Sequence, residues 1–224
     1  MSEEFELNLI PLGNGDKGKA PSCGEGWKDP ANFKKNNDLV KARKSHWFGG
    51  AMWGVLCGKH NNLIVSDYDT HKLEETSINL KTLKGVHGAG AYIVQTQSGG
   101  FHVYHTYEDK YESWGGICGI QGYIDIRNTG NYVVGAGSTG YKELSGNIEK
   151  LTPMPDKKFE MLDSKISELE KALKPNLSNS STYANKTKFL MEMFGGMTEH
   201  ECQAMSHDWS EGGSNVYDPD EEIP

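Results

Sequence analysis

Leu63-Ile64-Val65-Ser66-Asp67-Tyr68-Asp69 opens as an apolar run and closes on two carboxylates set two residues apart. The branched residues predict a β-strand over 62–67 buried in a sheet, and successive side chains of a strand alternate between its faces. Asp67 and Asp69 therefore project together from the C-terminal end of a strand whose start is buried. An Asp-x-Asp pair by itself is more often a turn or a solvated pair. Its place here argues for more, because desolvating two carboxylates is costly unless cations meet them.

Two further segments within sixty residues carry the same kind of signal. Ser98-Gly99-Gly100-Phe101-His102-Val103-Tyr104 predicts a hairpin of strands 92–97 and 101–107, with glycines supplying the positive φ angles of a short turn. His102, Tyr104 and Thr106 then share one face. Ile124-Asp125-Ile126-Arg127 predicts a strand over 123–127 that pairs with 132–135 across Asn128-Thr129-Gly130-Asn131, placing Asp125 beside Arg127.

Three carboxylates, one imidazole and one guanidinium suit two divalent cations and a triphosphate. Hard divalent cations about 3.5–4 Å apart activate a hydroxyl and stabilise a leaving pyrophosphate. Three acids suffice, since Mg²⁺ takes its remaining oxygens from water and substrate. Phosphates approach the backbone closely at a Gly-Gly turn, where His102 is placed to donate to them; a histidine satisfied inside the structure is the competing reading. Arg127 is one of only two arginines among 21 lysines, and its planar fork suits phosphate oxygens; a plain ion pair with Asp125 fits the spacing equally.

Outward from these segments the pattern is mixed. Residues 5–12 predict an edge strand, 13–26 a Gly/Lys/Pro-rich loop closed by Trp27, and Pro30 the start of a helix capped by Asp29 and interrupted at Gly49-Gly50. Runs 52–56 and 62–67 predict a hairpin. A helix is expected over 72–83, with Thr70 as cap, Leu73, Leu80 and Leu83 on one side, and Gly85, Gly88 and Gly90 ending it. Phe159, Leu162, Ile166, Leu169 and Leu173 mark an amphipathic helix over 156–174, ended by Lys174-Pro175 and packed on the sheet. A Ser/Asn linker over 176–182, a short helical pair with a Thr198/Glu201 capping box, and disorder beyond Ser210 complete the chain. The fold class is α+β: a catalytic core over 1–155, the helix 156–174, and a linker with an acidic tail over 175–224.

Composition narrows the function classes. At 224 residues, 24% charged and 36% hydrophobic, the chain has no apolar stretch long enough to span a bilayer. Its acidic start, residues 1–6, shows no secretory signal, so a cytoplasmic setting is expected. Cys23, Cys57, Cys118 and Cys202 form no paired spacing and read as reduced structural thiols; His200-Glu201-Cys202 with His207 is a weak zinc pattern. Residues 1–188 hold all 23 Lys and Arg against 22 Asp and Glu, whereas 189–224 hold nine acids and neither base. Within the near-neutral body, Lys28, Lys34, Lys35, Lys41, Arg43 and Lys44 form a basic run that suits a phosphate backbone or is a solvated face.

In order and spacing, Asp67-Tyr68-Asp69, Ser98-Gly99-Gly100-Phe101-His102, and Ile124-Asp125-Ile126-Arg127 with Gly130-Asn131-Tyr132-Val133-Val134 resemble the three motifs of the archaeo-eukaryotic primase superfamily, in its primase-polymerase branch. Lys19-Ala20-Pro21, Gly26-Trp27, Trp53-Gly54-Val55 and Gly58 also stand where that branch carries similar residues; the resemblance spans roughly residues 7–142. It implies a palm-like core built of an RNA-recognition-like sheet and a small α/β unit. It further implies Mg²⁺ or Mn²⁺ held by Asp67, Asp69 and Asp125, with His102 on the phosphates of the incoming nucleotide beside Ser98, Gly99 and Gly100. Arg127 becomes a further phosphate contact. The family's Pro-Pro-Ser is replaced by Gly135-Ala136-Gly137-Ser138, which leaves Ser138 without an implied role.

The function expected is DNA primase/polymerase activity on single-stranded template from nucleoside triphosphates, in a phage or plasmid setting, with any helicase or single-strand-binding protein a separate partner. A rolling-circle nicking endonuclease is a rival, disfavoured because His102 and His105 lie three apart on opposite strand faces. A catalytically silent nucleic-acid-binding module is another. The acidic tail invites docking of a replication partner, solubility being the simpler reading.

Overall fold

The computed structural model describes residues 6–13, 19–24, 26–46, 52–73 and 78–179. Contacts divide the chain into two units, Met1–Ile166 and Ser167–Pro224. The linker beyond Asn179, the Thr198/Glu201 helical pair, the His200-Glu201-Cys202 segment with His207, and the acidic tail lie outside the described residues.

The first unit is α+β, with two antiparallel sheets. One has the strand order β1 (Leu9–Pro11), β2 (Trp53–Leu56), β8 (Tyr132–Val134). The other runs β6 (Ile117–Ile120), β7 (Ile124–Arg127), β3 (Leu63–Tyr68), β5 (Phe101–Thr106), β4 (Tyr92–Gln95), β9 (Lys142–Ser145). Their facing sides share one core, in which Ile10, Val55 and Val133 of the small sheet meet Val65, Val94 and Tyr104 of the large one. β1 is the edge strand expected, and its Pro11 is tolerated because an edge position spares it a ladder donor. Asp29 caps the helical entry as expected: its Oδ1 accepts the Ala31 N–H at 2.9 Å, and a 3-10 turn at Pro30–Asn32 leads into α1 (Phe33–His46).

The hairpin of β4 and β5 forms as expected, with Gln95 opposite Phe101. The other two expected hairpins do not form. β2 and β3 are bridged only at Gly58 and Leu63, and β2 instead pairs with β1 and β8. Gly58 makes the change of sheet feasible: its φ is +86° and a Cβ there would overlap Thr129. Likewise β8 leaves β7 and joins β2, while β7 pairs with β6, a strand the sequence reading omitted along with β9. Alternation of apolar residues marks a strand without identifying its partner, which leaves chain neighbours as the default pair.

The helix expected over 72–83 starts later. A 3-10 turn covers Thr70–Lys72, and α2 spans Leu80–His87. Asn79 is the cap: its Oδ1 accepts the N–H groups of Lys81 and Thr82 at 3.0 and 3.1 Å, and Thr82 Oγ1 accepts the Asn79 N–H at 2.9 Å. That reciprocal box sets the start, leaving Thr70 Oγ1 to donate to the Gly99 carbonyl at 3.2 Å. Gly85 lies inside α2 and Gly88 ends it. α3 runs Asp156–Asn179, through Pro175 instead of stopping before it. A proline withholds a single amide and kinks a helix as readily as it ends one. No described helix is long and apolar enough to cross a membrane. Cys23, Cys57 and Cys118 are free thiols, as expected.

Behind β3 and β5 runs a buried chain of hydrogen bonds that the sequence did not disclose. Tyr68 Oη lies 2.6 Å from His87 Nε2, His87 Nδ1 lies 2.8 Å from His105 Nε2, and His105 Nδ1 lies 3.2 Å from the Thr152 carbonyl. A carbonyl only accepts, so His105 donates from Nδ1 and accepts at Nε2. His87 then donates from Nδ1 and accepts the Tyr68 hydroxyl at Nε2. The chain is complete with both imidazoles neutral. Burial pushes His87 down to about 2, aided by His105 and Lys158, and pushes His105 down to about 4. Because the unfolded chain binds these protons more readily, the stabilisation is full above about 6.5 and is lost as pH falls toward the folded values. The thermal midpoint is accordingly expected to fall between pH 6.5 and 4.5, and His87→Gln to flatten that slope; a wild-type midpoint level across this window would refute the account.

Candidate active site

β7, β3 and β5 lie side by side, and their register sets Asp67 opposite Asp125 on one neighbour and His102 on the other. Residues directly opposed in a ladder point to the same face, so these three side chains form one row across the sheet. Asp69 follows two residues after Asp67. Leu63 and Val65 precede it on that same face and are fully buried, so one strand face passes from apolar core to carboxylate within a few residues.

Arg127 joins the row. Its Nη2 donates to Asp125 Oδ2 at 2.7 Å and to Asp67 Oδ2 at 3.4 Å, while Asp125 Oδ1 accepts the Gly119 N–H at 2.8 Å. Asp125 is only 5% exposed, and a carboxylate so placed needs this compensation. Burial acts to lower the Arg127 pKa, but the charges of Asp125 and Asp67 outweigh it and keep the guanidinium protonated. The ion pair with Asp125 is thus present, and Arg127 also lines the cleft described below.

His102 Nε2 stands 3.6 Å from Asp67 Oδ1. Burial depresses its pKa against the opposing pull of Asp67, so the ring is neutral near pH 7. Its buried Nδ1 has no hydrogen-bond partner among the described residues. His105 faces the other way, into the chain behind the sheet. The two histidines therefore do not converge on one centre.

The turn between β4 and β5 is drawn tight by Gly99 N–H to the Thr96 carbonyl at 3.0 Å and Thr96 N–H to the Gly100 carbonyl at 2.9 Å. Ser98 lines the cleft, its hydroxyl 3.2 Å from that of Thr96. Gly99 and Gly100 shape the turn instead of lining the cleft. A Cβ at Gly100 would run into the Tyr68 carbonyl, between Asp67 and Asp69 in the chain. Gly100→Ala is expected to cost about 1–3 kcal/mol and to displace the end of β3. Denaturant unfolding tests this, and an unchanged midpoint would show that the turn yields freely.

A cleft of about 430 Å³ opens beside the row, lined by Asp67 and His102 but not by Asp125. Asp67, Asp69, His102 and Arg127 line it, as do Lys19, Trp27 and Lys28 from the segment before α1, together with Tyr132 and Tyr141. Tyr132 Oη donates to the Lys19 carbonyl at 2.6 Å, and its ring meets that of Trp27 edge-on at 5.1 Å. The sequence marked Lys19 only as a residue similar to a family's, and Trp27 both as that and as the closure of the 13–26 loop. Thr96, Tyr132 and Tyr141 carried no signal as cleft residues. Ser138 is buried and accepts the Trp53 N–H at 3.1 Å, a structural task that answers why it stands there.

The chemistry of the row fits a hard divalent cation: carboxylate oxygens of Asp67 and Asp125 are already turned on one positive group, and Asp69 lies on the same cleft. Among the described residues, however, no three Asp, Glu, His or Cys side chains are gathered as a metal cluster. Arg127 occupies the position between the two opposed acids.

The basic run divides. Lys28 belongs to the cleft. On α1, Arg43 Nη1 donates to the Leu12 carbonyl at 2.8 Å and Lys44 Nζ sits 3.9 Å from the Trp53 ring centroid, so both tie the helix to the small sheet. Lys34 pairs with Asp38 and Lys41 with Glu6, while Lys35 is exposed.

Comparison with known proteins gives one family. The family model described as bifunctional DNA primase/polymerase, N-terminal, matches residues 2–157. A search of curated proteins finds no match.

Proposed function

The chain belongs to the bifunctional DNA primase/polymerase family, and from that membership we propose that it transfers nucleotidyl groups from nucleoside triphosphates to a growing chain on a single-stranded DNA template. The observation that carries this reading is the single cross-strand row of Asp67, Asp125 and His102, of which Asp67 and His102 line a cleft of about 430 Å³.

Asp67, Asp69 and Asp125 would hold Mg²⁺ or Mn²⁺. Bound there, a divalent pair supplies Lewis-acid activation of the attacking hydroxyl and neutralises charge on the leaving pyrophosphate. The neutral imidazole of His102 presents one donor to a phosphate oxygen without adding charge. Arg127 holds Asp67 and Asp125 against mutual repulsion and offers its remaining N–H groups to the substrate. The turn at Ser98, Gly99 and Gly100 sets the height of β5 against β3 and so the spacing of His102 from Asp67. Lys34, Lys35 and Lys41, exposed on α1, are the residues of the basic run best placed for template phosphates, since Arg43 and Lys44 are engaged within the fold.

The test is direct. The purified protein is incubated with single-stranded templates, labelled ribo- or deoxyribonucleoside triphosphates, and Mg²⁺ or Mn²⁺, with and without a primer. Template-dependent product is expected. Its absence under every combination, with the protein folded, would overturn the reading; cleavage of the oligonucleotide with a covalent protein adduct would replace it by the nicking alternative.

A further inference from the structure

Asp67 and Asp69 are not held alike. Asp67 lies inside the ladder, with Asp125 opposite on one side and His102 on the other, whereas Tyr68, opposite Ile124 and Phe101, is the last residue of β3. Asp69 stands one step past that end. Its ψ of 76° turns the chain out of the strand into the 3-10 turn, and its N–H donates to the Tyr123 carbonyl at 2.8 Å. The direction of the Asp69 carboxylate therefore depends on how firmly the end of β3 is fixed.

That end is gripped from behind the sheet, through Tyr68. Its side chain is 4% exposed and, by strand parity, lies on the face opposite Asp67. Its hydroxyl donates to His87 Nε2 at 2.6 Å, and its ring meets that of His87 edge-on at 5.7 Å. His87 ends α2 and is tied in turn to His105 of β5 at 2.8 Å. On the first turn of α3, Lys158 is buried, forms no ion pair among the described residues, and sets its Nζ 5.5 Å from the Tyr68 ring centroid. Two helices thus close on one side chain. Packing alone would be served by Phe, whereas a buried Tyr–His bond fixes both depth and direction.

We propose that Tyr68 is the positioning residue of Asp69: its buried bond to His87 fixes the last residue of β3 and, with it, the carboxylate that joins Asp67 and Asp125 as a cation ligand. This rests on the reading above that these three acids hold a divalent cation.

Calorimetric titration of the full chain with Mn²⁺ alone, below the thermal midpoint of every variant, tests this without catalysis. Tyr68→Phe keeps the ring and loses the bond; it is expected to weaken Mn²⁺ binding about tenfold, the effect of removing a group that orients a metal ligand. His87→Leu is expected to do the same, and His87→Gln, which supplies an acceptor and a donor in place of the imidazole, to restore most of the affinity. In an Asp69→Asn background Tyr68→Phe is expected to add less than about twofold, because the residue it acts through is already lost. Trp114→Phe gives up a buried side-chain bond elsewhere, to Asp163 at 3.0 Å, and is expected to lower the midpoint with Mn²⁺ affinity unchanged. Wild-type affinity in Tyr68→Phe, an undiminished loss on top of Asp69→Asn, or an equal loss in Trp114→Phe would overturn the proposal and leave the cation reading standing. Wild-type protein that binds no Mn²⁺ at millimolar concentration would overturn both.

Discussion

Asp67→Asn is expected to lower template-dependent nucleotide incorporation by about a thousandfold or more, an effect of the size produced by losing cation-assisted stabilisation of the reacting phosphate. The fold should hardly register the change. Asp67 contacts Arg127 at 3.4 Å and His102 at 3.6 Å, long distances both, while Arg127 keeps its 2.7 Å bond to Asp125. An amide of the same shape fills the site without a void. A thermal midpoint within a few degrees of wild type, with activity gone, separates a chemical role from a structural one. Incorporation that survived at wild-type rate would remove Asp67 from the chemistry. Asp125→Ala should lose stability as well as activity, since it also frees the Gly119 N–H and the guanidinium.

Arg127→Met is expected to be the most destabilising single change at the site. It leaves Asp67 and Asp125, direct cross-strand partners, facing each other without a cation, and Asp125 is only 5% exposed. Breaking such a pair costs about 2–4 kcal/mol once the partial exposure of the arginine is allowed for, a drop of roughly 5–15 °C in midpoint for a protein of this size. If these acids bind divalent cations, Mg²⁺ or Mn²⁺ should restore much of the loss, by about 2.7 kcal/mol at a hundred times the dissociation constant. Calorimetric melting with and without metal reads this independently of catalysis. A variant as unstable in millimolar metal as in chelator would argue against a cation at the pair.

Much of the site was legible because strand parity is a local rule. Asp67 with Asp69, and Asp125 with Arg127, share a face whatever strands lie beside them, and the Gly-Gly turn identified the β4–β5 hairpin from its own residues. The opposite faces of His102 and His105 followed from the same parity. Pairing between distant strands was less legible. Nothing in 52–56 or 132–135 says that these runs leave their chain neighbours to form a separate sheet, and the decisive contacts, Gly58 against Thr129 among them, join residues about seventy positions apart. The α2 start was missed for a smaller reason, the Asn79/Thr82 box being weaker in sequence than the leucine spacing it overrode.

The sequence by itself determined the family, the α+β class and the candidate chemical groups, since these depend on residue identity, short spacing and the alternation of faces. Only the tertiary structure decided that Asp67, Asp125 and His102 stand in one row, that Arg127 sits between two of the acids, and that Lys19 and Lys28 line the same cleft as Asp67, Asp69 and His102. Those facts depend on register and on the approach of segments remote in the chain. They are fixed by the packing of the whole domain, which no local run of residues encodes.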